Sequence, residues 1–165
     1  MNKKTMIICI ILIIMISAGI IYYNNTYKID SEIPSINNNI RTGNSEYNQA
    51  VLALNNKNYS QAEQRSMNAL KNYGNVSKKL NTTIQLAQDQ NETILLEYLM
   101  LTQTEIDQKI NATQEILVGI ELINNNNYYS SIEHFRKSNA IMSNTTQYSD
   151  KRNQIESNYP EKFIK

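Results

Sequence analysis

Beyond residue 44 the chain holds glycine only at Gly74 and Gly119 and proline only at Pro160, and its apolar residues recur every three or four positions without sustained alternation. Glycine and proline are the residues that punctuate chains, and period-two alternation is the mark of a half-buried strand, so their absence leaves helix as the remaining option. The pattern predicts an all-α domain over residues 45–160, followed by a short tail, 161–165. Tyr47, Val51 and Leu54 share one face of a first helix at about 45–56. Ser60-Gln61-Ala62-Glu63 has the form of a capping box and opens a second helix, which ends near Gly74, where glycine suits a left-handed cap. Residues 77–123 carry the longest apolar stripe, from Leu80 through Ile94, Tyr98 and Ile106 to Ile120. Asp89-Gln90-Asn91-Glu92 within it permits either one long central helix or two end to end. Leu95, Leu96, Leu99 and Met100 extend the apolar surface around that helix, which calls for neighbours on several sides. After the Asn124–Asn127 turn, Ser130-Ser131-Ile132-Glu133 opens a further helix carrying Ile132, Phe135 and Ile141, which stops before Pro160.

A second constraint lies at the other end. Residues 6–23 form an unbroken apolar run with nine isoleucines, placed directly behind Lys3-Lys4. As a helix it is about 27 Å long, against roughly 30 Å of bilayer hydrocarbon. Ser17-Ala18-Gly19 offers small residues to a signal peptidase, but Ile20-Ile21 carry the run past that point and Tyr22-Tyr23 suit a membrane interface. The expected organisation is an uncleaved signal anchor: residues 1–5 as a cytoplasmic tail, 6–23 as a single transmembrane helix, and an extracytoplasmic domain beyond. Residues 24–44, with Pro34, Gly43 and Asn37-Asn38-Asn39, read as a linker. Ile29, Ile33, Ile36 and Ile40 nevertheless fall on one helical face and allow a short amphipathic helix that docks on the domain or pairs with a second copy.

Composition excludes several chemistries. The chain has 16 Lys plus Arg and 15 Asp plus Glu; setting aside Lys3 and Lys4 leaves 14 against 15, a balance without the basic excess of a nucleic-acid binder. Cys9 is the only cysteine and lies inside the apolar run, so no disulfide within the chain can form. With His134 the single histidine there is no His/Cys metal set and no nucleophile–histidine arrangement, and four glycines make no phosphate loop. Glu92, Glu97, Glu105, Asp107, Glu115 and Glu121 are spread along the long segment and read as a solvated face. The expectation is therefore a non-enzymatic protein with no cofactor, metal or catalytic residue. Asn-x-Ser/Thr triplets at Asn24, Asn58, Asn75, Asn81, Asn91, Asn111 and Asn144 are glycosylation acceptors by pattern. Tyr128 and Tyr129 at a turn, with His134 on the following helix, are the candidate partner surface, because tyrosine combines apolar area with a polar tip.

Two stretches match when shifted by 69 residues: Ala50 on Gly119, Tyr59 on Tyr128, Ala62 on Ser131 and Ala69 on Ser138. Small residues meet small residues, and a tyrosine stands near each turn. Over residues 45–74 and 112–143 this resembles the tetratricopeptide repeat, whose 34-residue period is close to half the shift. Ser66 departs from that pattern, which has an aromatic there, and no proline closes either unit. The resemblance implies helical hairpins that bind protein or peptide. The expected function is a membrane-anchored scaffold of that kind, binding a partner or its own copies, with coiled-coil contacts among its long helices. A ligand-sensing bundle acting through a partner and a pilin-like filament subunit are the alternatives.

Overall fold

The computed structural model describes residues 3–163; the side chains of residues 3–13, 18, 19, 21–28, 30 and 31 lie outside the description. Five helices follow one another: α1 (Lys3–Asn55), α2 (Tyr59–Asp89), α3 (Thr93–Asn124), α4 (Tyr128–Asn144) and α5 (Thr146–Asn158), with a 3-10 turn at Pro160–Lys162. No strand occurs among the described residues, as the periodicity requires.

Three reversals of the same kind shape the bundle. Asn56-Lys57-Asn58, Gln90-Asn91-Glu92 and Asn125-Asn126-Asn127 each place their middle residue at positive φ, 57°, 55° and 61°. In each the third residue's N–H donates to a carbonyl five positions back, Asn58 to Ala53, Glu92 to Ala87 and Asn127 to Leu122. This is the left-handed helix stop, satisfied here by asparagine and lysine where glycine is the usual occupant. Gly74, expected to fill that role, sits in the interior of α2. The helix starts also differ from the expected boxes. Asn58 and Asn127 are the caps, their side-chain oxygens accepting from the backbone N–H of Gln61 and Ser130, while Glu92 makes no such bond before α3. Asn58→Ala and Asn127→Ala should each lower stability by about 1 kcal/mol, a melting shift of a few degrees, with a smaller effect for Glu92→Ala.

Residues 77–123 do not form one helix, nor two end to end. The left-handed turn at Asn91 folds α3 back along α2, and Gln103 donates to Ser77 across the pair. Ion pairs record the antiparallel register elsewhere: Glu32–Lys79 and Glu46–Arg65 between α1 and α2, Glu115–His134, Glu105–Arg152 and Glu92–Lys162 between α3 and the C-terminal helices. The arrangement is up-down-up-down, with α4 and α5 together as the fourth rod. That rod is interrupted at Thr145, whose hydroxyl donates to the Met142 carbonyl.

Residues 24–44 are helix, not coil, and belong to α1. Ile29, Ile36 and Ile40 are buried and Ile33 is packed beside them. Burying three isoleucines is worth several kcal/mol, enough to offset the hydrogen bond lost at Pro34, which lies on the exposed side. The apolar run at residues 6–23 belongs to the same helix, but most of its side chains lie outside the described residues; among those described, no helix is long and apolar enough to cross a membrane.

The hairpin likeness is kept at the contacts and lost in the architecture. Ala50, Ala62, Ala69, Ser131 and Ser138 are buried, as is Gly119, so the small residues of both stretches do let helices approach. Yet α2 has 31 residues and α3 has 32, where that repeat fits two short helices into 34. The turns at Lys57 and Asn91 therefore lie at opposite ends of the bundle.

Candidate functional site: a groove at the turn end

The turns at Lys57 and Asn126 lie side by side at one end. Just inside that end Tyr47 and Ser138 share a buried 2.8 Å hydrogen bond that ties α1 to α4, and Ser138 also donates to the Ala112 carbonyl of α3. Burial raises the Tyr47 hydroxyl pKa above its ordinary value, the bond to Ser138 opposing part of that rise. Beyond this tie α1 and α4 leave a groove of about 270 Å³. Its walls are Val51, Leu54 and Asn55 from α1 and Tyr128, Ser131, Ile132, Phe135 and Asn139 from α4; Ile116 and Ile123 of α3 form the floor, and Tyr59 stands at the mouth. Phe135 reaches this position because Gly119 has no side chain, a Cβ there falling 2.3 Å from the ring. No Asp, Glu, Lys or Arg lines the groove.

Of the residues singled out in the sequence, Tyr128 lines the groove and is 57% exposed, and Ile132 beside it is 48% exposed. Tyr129 points to solvent outside the lining at 81% exposure. His134 faces the other way, its Nδ1 2.6 Å from Glu115 Oε2, and Lys137 reaches the second oxygen of the same carboxylate. Asn58, Asn75, Asn81, Asn91, Asn111 and Asn144 are all exposed, and the side chain of Asn24 lies outside the described residues.

Burial by itself would raise the Glu115 pKa, but the hydrogen bonds from Lys137 and His134 outweigh it and hold the carboxyl below its usual range. A carboxyl with a lowered folded pKa stabilises the fold above its unfolded value and loses that contribution as pH falls through the folded one. Melting temperature should therefore drop as pH is lowered from about 5 toward 3, and Glu115→Gln should flatten part of that slope.

A second polar cluster is buried between the helices. Glu105, read from the sequence as part of a solvated face, is 2% exposed and held by Arg152 Nη2 at 2.6 Å and Lys109 Nζ at 2.8 Å. Lys109 also donates to Asn44 Oδ1, which receives the Tyr73 hydroxyl as well. The Arg152 guanidinium lies 5.5 Å from the centre of the Tyr98 ring, and Phe163 packs on that ring at 4.7 Å. Burial raises the Tyr98 hydroxyl to about 12 although Arg152 opposes it. These groups join α1, α2, α3 and α5 and none of them lines the groove, so they set helix register. Lys109 and Arg152 carried no sequence signal beyond their charge; the i, i+4 spacing of Glu105 and Lys109 was the one available clue.

Compared with known proteins, the chain matches no family model, no curated protein and no solved structure.

Proposed function

We propose that this chain is a membrane-anchored helical scaffold that binds a protein partner, or another copy of itself, in the groove at the turn end, outside the cytoplasm. The observation that carries this reading is the groove: an uncharged, mostly apolar trough between α1 and α4, where the clefts between α2 and α3 and between α1 and α2 are lined by charged side chains, with two half-exposed apolar side chains, Tyr128 and Ile132, on its rim. Patches of this kind mark contact sites more often than they occur at random on a surface. The length of the apolar run and the placement of Lys3-Lys4 support an anchor with its N-terminus in the cytoplasm. One helix carries both the run and a wall of the groove. The 32 residues from Tyr23 to Asn55 would hold the groove about 48 Å from the bilayer edge. That distance suits a display function.

Two measurements test the reading. The chain should stay with membranes through an alkaline wash, and a C-terminal epitope should be removed by protease added to intact cells. On native gels the detergent-extracted protein should migrate in a complex larger than one chain, and Ile132→Glu should dissolve that complex without lowering the melting temperature by more than a degree or two. A chain that washes off, or a monomer in both forms, rejects the proposal.

A further inference from the structure

We infer that the bundle sits directly on the membrane that anchors it, with the α2–α3 turn at Asn91 and the segment from Tyr159 to Phe163 lodged among zwitterionic phospholipid headgroups; this deepens the anchor reading and rests on it. The inference comes from helix register. Moving fourteen residues along α1, from Glu32 to Glu46, moves fourteen back along α2, from Lys79 to Arg65, so the two ion pairs record one unbroken antiparallel alignment. Ile29 is 1% exposed, so α1 stays packed on the bundle to within about two turns of residue 22. Ten residues beyond Lys79 bring α2 to its last residue, Asp89, and ten before Glu32 bring α1 to residue 22. The α2–α3 turn is therefore level with the end of the apolar run at residues 6–23, and no stalk separates the bundle from that run.

Physical limits then set the depth. Neighbouring helix axes lie about 10 Å apart and a spanning helix tilts by about 20°, which moves the turn by only about 3–4 Å along the membrane normal. Gln88, Asp89 and Asn91 are exposed, and such amides and carboxylates do not enter hydrocarbon unpartnered, so the turn stops in the headgroup layer, roughly 5–7 Å thick on each face. A second segment arrives at the same level: Lys162 reaches Glu92 at 2.7 Å, Phe163 packs on Tyr98, and Tyr159 is 40% exposed. Exposed tyrosine beside lysine is the chemistry of a membrane interface, where the apolar body meets the acyl boundary and the polar tip meets phosphate and water. Among the described residues at this end Asp89, Glu92 and Glu161 outnumber Lys162, so there is no basic patch to select anionic lipid, and a zwitterionic surface fits.

The test places a nitrobenzoxadiazole fluorophore on single cysteines in the full chain carrying Cys9→Ala, reconstituted into phosphatidylcholine vesicles doped with phosphatidylcholine that bears a nitroxide on its headgroup. Labels at Asp89→Cys and, separately, at Tyr159→Cys should each be quenched about five-fold more than one at Leu52→Cys, which is exposed on α1 and stands 30 residues, about 45 Å, beyond residue 22. The two sites lie on different elements, so if one variant fails to fold the other decides. Quenching no greater than at Leu52, or quenching that appears only when anionic lipid is added, overturns the inference, while the anchor stands if the chain still floats with the vesicles after an alkaline wash. A chain that does not float removes both.

Discussion

Glu105→Ala is expected to destabilise the chain by about 3–5 kcal/mol, the loss seen when one member of a buried ion cluster is removed. The carboxylate is 2% exposed and is the only anion bonded to both Lys109 and Arg152 among the ion pairs described. Without it two buried cations face each other, and the Arg152 Nε is already without a partner. For a domain of this size the melting temperature should fall by roughly 10 °C, measured by circular dichroism. Arg152 is the charged link from α5 to α3, so amide exchange in α5 should rise first. Replacing Glu105, Lys109 and Arg152 together by leucine should recover most of the stability, because the penalty of Glu105→Ala comes from orphaned charges more than from a lost attraction. A loss under about 1 kcal/mol for the single variant would mean that water reaches the cluster.

Tyr73→Ala should cost a similar amount, about 3–5 kcal/mol. The ring is fully buried, its hydroxyl donates to Asn44, and burial drives its pKa well above the ordinary tyrosine value. It lies against Gly43 so closely that a Cβ on that residue would fall 2.6 Å from the ring edge. Gly43 therefore serves packing, and its absence of a side chain lets α1 and α2 approach around the largest side chain between them. Gly43→Ala gains up to about 1 kcal/mol of helix propensity but forces the ring aside at about 1–3 kcal/mol, for a net loss. Combining Gly43→Ala with Tyr73→Leu should be milder than the sum of the two, with a coupling of about 1 kcal/mol or more by double-mutant cycle. Strict additivity would show that the contact is not tight in solution.

The same contacts explain where reading from sequence stopped short. Gly43 had seemed a linker residue and Gly74 a helix cap; the first is a packing contact and the second is merely tolerated inside α2. Asparagine took two of the three left-handed positions and lysine the third, and in a chain so rich in asparagine no single one stood out. The isoleucines of residues 24–44 were legible as a stripe, but whether that stripe was buried depended on α2 running long enough to cover it. Tyr128, named from the sequence as part of a candidate partner surface, lines the groove, whereas no pattern in the sequence singled out Ile116 or Ile123.

By itself the sequence determined that this chain is helical, because periodicity and the lack of helix breakers are local properties written residue by residue. Tertiary structure alone decided which charges are buried, which way α3 turns and where a groove opens. Those outcomes depend on contacts such as Glu105 with Arg152, 47 residues apart, and Tyr47 with Ser138, 91 apart, and no local pattern encodes a meeting at that distance.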